Sequence, residues 1–339
     1  MLRLPEFTLT KPEGLEAALA LLIEHGDEAL PIAGGTDLLP NMKHGLFEPK
    51  VLVSLAGVSE MHGVSETEDG GVRVGAMTTL ASLAVHETIQ RYPVLAQAAS
   101  LVAGPQLREV GTLGGNVMLD TRCQWYNQSH FWRSSLGYCL KKDGSKCHVV
   151  EGGKKCVAAA SNDTAPALVS LGAVLEFRGP EGAREVPIEE FYVADGIANQ
   201  DVHPGELLVA VRIPAPTAGH RSAYGKLRTR GSIDFPLLGV ACRLDLDGDG
   251  TITSADLAFT ALQARPVRAR KAAELLEGAA PQGDDFDEVA AAVAAAAHKQ
   301  CHPLANIPGD HEYRREMVPV YVKRTLRAAL EGSGPVHHI

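Results

Sequence analysis

Four of the six cysteines fall in one stretch, as Cys123, Cys139, Cys147 and Cys156, spaced Cys-x15-Cys-x7-Cys-x8-Cys; Cys242 and Cys301 stand far away and alone. Four thiolates are what a tetrahedral metal ion or a cubane iron–sulfur cluster requires. The surrounding segment, about 121–157, shows no regular hydrophobic period and holds both tryptophans, Trp125 and Trp132, with Tyr126, Phe131 and Tyr138. A loop this long is functional or disordered, and a metal centre would supply the order its sequence lacks. Six cysteines in 339 residues are not a disulfide scaffold. Zinc sites favour short Cys-x2-4-Cys knuckles. None is present, which tilts the reading toward an iron–sulfur cluster and leaves zinc open.

The length allows two or three domains with their own cores. A net charge of −9 argues against nucleic-acid or membrane-surface binding. No segment approaches the roughly 20 apolar residues of a membrane span. The start, Met1 to Glu6, lacks the apolar run of a secretory signal, so a cytoplasmic protein is expected. Against the acidic background the cysteine stretch is a basic island. Arg122, Arg133, Lys141, Lys142, Lys146, Lys154 and Lys155 face only Asp143 and Glu151.

Apolar spacing predicts a helix over 13–25 and short strands at 30–33, 51–55 and 72–76. Helical patterns follow at 80–88 and 94–103. After the cysteines come a helix at 165–171 and a strand at 173–177. Pro214 to Gly219 reads as a linker. Beyond it lie a strand pair, 240–246 and 251–262, and helices at about 267–278, 287–300 and 312–331. Alternating strands, helices and glycine turns make the chain α/β or α+β.

Two glycine turns carry the chemistry. Ala33-Gly34-Gly35-Thr36-Asp37 follows a strand, where adjacent glycines let backbone N–H groups approach a pyrophosphate and the threonine adds a donor. Gly111-Thr112-Leu113-Gly114-Gly115-Asn116 repeats the device just before the cysteines. Together they suggest a nucleotide whose phosphates rest on backbone donors. Neither has the spacing of a Rossmann fingerprint or the lysine of a P-loop. Asp163 suits either a ribose or adenine contact or a helix N-cap. Asp245 to Asp256 imitates a calcium loop, but an Asp/Gly-rich hairpin turn explains it. Lys226, in Tyr224-Gly225-Lys226, reads as part of an exposed basic strand or as a lysine reaching a cofactor. Cys242 reads as a buried small hydrophobe.

In this order the motifs resemble the FAD-binding subunit of the molybdenum hydroxylase (xanthine dehydrogenase) family. The resemblance rests on Ile32 to Leu38, on Gln106-Leu107-Arg108 before Gly111 to Asn116, on Asn162-Asp163 with Ala165 to Leu168, on Gly205 to Leu208, and on Tyr224 to Lys226 with Arg228. The cysteine insert between the second glycine turn and Asp163 is similar to that of the β subunit of 4-hydroxybenzoyl-CoA reductase within the family. The resemblance implies an α+β fold. A two-subdomain FAD-binding domain of the vanillyl-alcohol-oxidase (PCMH) type spans 1–215, with subdomains of about 1–57 and 58–215 and the insert at about 120–157. A smaller C-terminal domain of antiparallel sheet plus helices spans 220–331. The implied FAD-lining residues are Pro31, Ile32, Ala33, Gly34, Gly35, Thr36, Asp37, Leu38, Gly111, Thr112, Gly114, Gly115, Asn116, Asp163, Leu208 and Lys226. The implied ligands of a [4Fe–4S] cluster are Cys123, Cys139, Cys147 and Cys156. The implied partners are a large subunit with the molybdenum cofactor and a small one with two [2Fe–2S] clusters, in a dimer of heterotrimers fed by ferredoxin. Substrate chemistry would lie on the large subunit, so no catalytic residue is expected here. The basic island would offset cluster charge and steer the acidic donor, with Lys141 and Lys142 as its test positions. An FAD subunit acting with CO, an aldehyde or an N-heterocycle, and a structural zinc module, are the competing readings.

Overall fold

The computed structural model describes residues 2–283 and 285–338; Met1, Asp284 and Ile339 lie outside it. Strands β1 (Thr8–Thr10), β2 (Ala29–Ile32) and β3 (Val51–Ser54) form a small parallel sheet in the order β1-β3-β2. Parallel strands need crossovers: the helix Leu15–His25 carries the chain from β1 past β3 to β2, and the helix Leu38–Lys43 carries it from β2 to its neighbour β3. Ala18, Leu19 and Leu22 lie on the buried face of the first helix. Strands β4 (Val64–Glu66), β5 (Val72–Gly75), β6 (Val174–Gly179), β7 (Gly182–Pro187) and β8 (Leu207–Ile213) build an antiparallel sheet, order β4-β5-β8-β6-β7. One apolar core runs from the first sheet through the second.

The C-terminal part is a third sheet, order β12-β11-β10-β9-β13, from β9 (His220–Leu227), β10 (Leu238–Leu246), β11 (Ile252–Thr260), β12 (Val267–Arg268) and β13 (Val336–His338). The helices Phe286–Gln300 and His311–Glu331 share its core. The longer one starts on Asp310, whose carboxylate accepts from Glu312 N–H, and stops at Gly332 in the left-handed region, φ 63°. The mixed helix-and-sheet architecture expected from the sequence is present.

Two helices depart from the expected pattern. The segment 267–278 begins as edge strand β12, then makes only the short turns Arg270–Ala273 and Glu274–Leu276. Val267 and Arg268 pair with Phe259 and Ala258 of β11, and Arg268 also reaches Asp256, so the helical part starts only at Arg270. The helix at 80–88 stops at Val85 and gives way to a 3-10 turn, Glu87–Arg91. The calcium-like segment is a hairpin turn. Asp247 Oδ1 accepts from Asp249 and Thr251 N–H, while Asp245 and Asp256 are held by Arg243 and Arg268. Among the described residues no helix is long and apolar enough to cross a membrane.

Candidate functional site

The two glycine turns meet. A Cβ on Gly34 would stand 1.9 Å from the Val110 carbonyl oxygen, so only glycine lets the first turn lie on the residue before Gly111. Gly111 in turn sits against Thr36; a Cβ there would be 3.7 Å from Thr36 Oγ1. Gly35 has φ 69°, a conformation natural to glycine. Behind the second turn, Gly114 rests on Ala76, with 2.7 Å between a notional Cβ and the alanine methyl. Ala76 N–H bonds to Val209 O on β8, which places Leu208, buried opposite Phe177, next to this wall.

The two turns spend their backbone donors differently. Leu113, Gly114, Gly115 and Asn116 N–H donate to Thr78 O, Ala76 O, Thr112 Oγ1 and Thr112 O. The N–H groups of Gly34, Gly35, Thr36 and Asp37 have no protein acceptor among the described residues. Open donors on a half-buried glycine turn such as this one form an anion-binding concavity. Pro31 and Ile32 end strand β2 beneath it, Ala33 leads into the turn, and Leu38 starts the helix Leu38–Lys43. Asn116 is committed elsewhere: its Oδ1 accepts from Thr164 N (3.0 Å) and Oγ1 (2.6 Å).

Asp163 and Lys226 come together, although 63 residues separate them. Lys226 Nζ, with a fully buried side chain, donates to Asp163 Oδ2 (3.0 Å), Leu101 O (2.8 Å) and Asp234 O (3.1 Å). Tyr224 Oη donates to Asp163 Oδ1 at 2.9 Å. Burial pushes the Asp163 carboxyl above its ordinary value, against the pull of the Lys226 ammonium and the Tyr224 hydroxyl. Asp163 occupies the N-cap position of the helix Thr164–Ser170 but makes no capping bond. Its carboxylate clasps the C-terminal domain instead. Lys226 therefore lies on no exposed basic strand, because strand β9 is inside its sheet with helix His311–Glu331 packed on it.

The cysteine stretch folds into a compact lobe. Cys123 and Cys139 share a small apolar cluster with Leu46, Tyr126 and Ala158, and Cys156 packs against it. Burial pushes the Cys123 thiol up to about 12; Cys156, Cys139 and Cys147 are close enough to push it the same way. Backbone N–H groups point at two sulfurs, Val150 N to Cys147 Sγ (3.4 Å) and Ala158 N to Cys156 Sγ (3.5 Å). Gly196 presses on Cys156, leaving 2.7 Å between a notional Cβ and the sulfur. Among the described residues, Arg133 Nε is buried with no partner. Among the described residues, no three His, Cys, Asp or Glu side chains converge tightly on one point for a single ion.

The lobe docks directly on the first glycine turn. Arg122, beside Cys123, donates to Asp37 Oδ1 at 2.9 Å, and Asn41 Nδ2 donates to Asp37 Oδ2 at 2.8 Å. Burial raises the Asp37 carboxyl despite the Arg122 charge. Arg133 reaches Gly45 O (2.9 Å) in the turn after helix Leu38–Lys43. Sequence reasoning did not assign Arg122 this role, since nothing local marks a partner 85 residues away; Asn41, only four residues from Asp37, could have been found from its i, i+4 spacing.

One expectation needs correction. Lys141, expected to help steer an acidic donor, is buried and cannot meet one at the surface. Lys141 has a side chain only 4 % exposed and Arg133 only 1 %. Lys141 Nζ bonds Asp120 Oδ1 (2.8 Å), Thr121 Oγ1 (2.7 Å) and Gly196 O (2.6 Å). Buried polar groups require such partners, and the lobe's own folding supplies them. Lys146, Lys154 and Lys155 remain exposed; the first two border a surface hollow next to Cys147.

Two glycine turns against each other, a wall from an antiparallel sheet and a second domain clasped by a buried ion pair define an FAD-binding redox subunit. Residues 5–216 match the family described as the FAD binding domain in molybdopterin dehydrogenase, and residues 222–329 the CO dehydrogenase flavoprotein C-terminal domain. The chain belongs to this family, the FAD-binding medium subunits of the molybdenum hydroxylases. It is 31 % identical over 324 residues to the carbon monoxide dehydrogenase medium chain of Afipia carboxidovorans, covering 95 % of this chain and 96 % of that one. It is 35 % identical over 274 residues to the FAD-binding subunit of an Escherichia coli aldehyde oxidoreductase, covering 78 % and 84 %. The solved CO dehydrogenase from Oligotropha carboxidovorans superposes with a TM-score of 0.79 at 29 % identity, covering 97 % and 99 %.

Proposed function

We propose that this chain is the FAD and [4Fe–4S] electron-transfer subunit of a 4-hydroxybenzoyl-CoA reductase. It would sit between a reduced ferredoxin and a molybdenum-cofactor subunit that removes the para hydroxyl of 4-hydroxybenzoyl-CoA, giving benzoyl-CoA and water. A small subunit with two [2Fe–2S] clusters would complete each half of a dimer of heterotrimers. The observation that carries this reading is the cysteine lobe. Cys123, Cys139 and Cys156 gather in one apolar cluster of the lobe, Cys147 is buried in the same lobe, and Arg122 fastens it to the turn that would hold FAD.

The glycine turns suit FAD, and the four cysteines, gathered in one lobe, are the ligands a cluster would use. The open N–H groups of Gly34 to Asp37 suit a pyrophosphate, with the second turn and the Leu208 strand as the opposite wall. Asp163 and Lys226 would brace that wall from beneath, through the domain clasp. Cys123, Cys139, Cys147 and Cys156 supply four sulfur ligands, and amide N–H groups directed at two of them favour the charged thiolates. FAD would supply a carrier able to hold one electron or two, and the cluster a one-electron carrier. The chain's own contribution is to hold both groups and exclude water from them. Exposed Lys146, Lys154 and Lys155 near Cys147 suit an acidic donor protein.

An FAD subunit that serves CO, an aldehyde or an N-heterocycle is the second reading, and the relatives' names favour it as a class. The insert favours the first, because a donor that delivers single low-potential electrons calls for a one-electron acceptor at the point of entry. The test is metal and flavin analysis with ferredoxin-linked assays on the purified complex. About four iron and one FAD per chain are expected, with loss of iron and ferredoxin-linked turnover in Cys139→Ser while the yellow colour stays. One zinc and no iron, or full iron and normal turnover in the variant, would overturn it.

A further inference from the structure

The most unusual charge outside the flavin turns is Lys141. Its side chain is 4 % exposed inside the cysteine lobe. Its three N–H donors are all used, on Asp120 Oδ1, Thr121 Oγ1 and Gly196 O, and its ammonium lies 4.9 Å from the centre of the Tyr126 ring. Tyr126 belongs to the apolar cluster that contains Cys123 and Cys139. Gly196, whose carbonyl Lys141 holds, is the residue pressed on Cys156 Sγ, and its N–H donates to Cys156 O at 3.1 Å. The ammonium is thus one residue from the cysteines on two sides, through Tyr126 and through Gly196.

Its counter-ion does not cancel it. The Asp120 side chain is 29 % exposed, so part of its field is screened by water. Lys141 is enclosed, where the effective dielectric is lower and a charge acts further. The neighbouring cations differ in kind: Lys146, Lys154 and Lys155 are solvated, and the two terminal nitrogens of Arg133 are directed at His44 O, Gly45 O and Asp143.

We propose that Lys141 is the internal cation that tunes the reduction potential of the cluster, holding it higher than the thiolate cage alone would. The inference rests on the cluster assignment above. A cluster with four thiolate ligands carries one more negative charge when reduced than when oxidised. A fixed buried cation therefore stabilises the reduced form more, and the potential of such centres follows local charge and hydrogen bonding. Lys141 is in this sense a positioning and tuning residue, fixed by Thr121 and Gly196 so that its distance from the sulfurs does not vary.

The test is a redox titration of the purified holo-complex, followed by electron paramagnetic resonance of the cluster, on wild type, Lys141→Met, Lys141→Arg and Asp120→Asn, each with an iron count. Lys141→Met keeps the length and removes the charge. Its one-electron reduction equilibrium should fall about tenfold, a drop of ~59 mV for n = 1. Lys141→Arg should stay near wild type. Asp120→Asn removes the opposing anion and should move the potential upward, a sign that loss of packing does not produce. A Lys141→Met complex with full iron and an unchanged potential overturns the inference. If Lys141→Met loses its iron, Asp120→Asn decides: an upward shift supports the assignment and no shift, or a downward one, overturns it. Wild type without iron would instead sink the cluster assignment itself.

Discussion

Replacing Gly34 by alanine isolates the contact on which the flavin site depends. The new Cβ would stand 1.9 Å from Val110 O and 2.5 Å from Val110 C. Ordinary carbon–oxygen approaches begin near ~3.3 Å, so one turn must retreat about 1.4 Å from the other. Both partners are backbone, so no rotamer change relieves the clash. Gly34 does not have a positive φ, and the effect is therefore steric rather than conformational. Overpacking of this kind costs about 1–3 kcal/mol. Its sharper consequence is functional, because a misplacement of about 1 Å in a pre-organised site can cost on the order of 100-fold. FAD should bind ~10–100-fold more weakly, read as flavin per chain after dialysis and as the dissociation constant on reconstitution. Gly248→Ala, in the hairpin turn far along the chain, is the control: its Cβ meets nothing within 4 Å and should lose little flavin. A Gly34→Ala complex that keeps full flavin at unchanged affinity would refute the idea that apposition of the turns builds the site.

Lys226→Met should destabilise the fold by about 3–5 kcal/mol, because it leaves the Asp163 carboxylate buried without its cation; Lys226→Met/Asp163→Asn should recover part of this in denaturant titration, and equal loss in both variants would argue against the clasp. His220, held down to about 4 by burial and by Arg243 and Arg221, is neutral in the fold. The unfolded imidazole protonates near 6.5, so its contribution to stability is complete above about 6.5 and falls as pH drops toward 4. His220→Gln should flatten the stability profile in that window and nowhere else; an unaltered slope there would count against it.

The helix spacing, the strand pairs and the calcium-like hairpin were legible in the chain because each depends on neighbours a few residues away. The helix expected over 267–278 is present only at 270–276: its local signal was legible, but not that Val267 and Arg268 pair with the edge of β11 and delay its start. The glycine turns were visible as turns, yet not their division of labour. Which N–H groups remain open depends on acceptors such as Ala76 O and Thr78 O, which reach the second turn only after the sheets have packed.

The four cysteines and their spacing, fixed in the sequence, decided that one lobe would gather thiols beside a glycine turn. Tertiary structure alone decided which charges serve that lobe. Lys141 and Lys146 look alike in the chain, but one turns inward to Asp120 and Gly196 and the other meets water. Asp163 and Lys226 likewise became a single buried pair across two domains. A charge acts through its distance to partners and through its exclusion from solvent, and neither quantity exists until the chain has closed on itself.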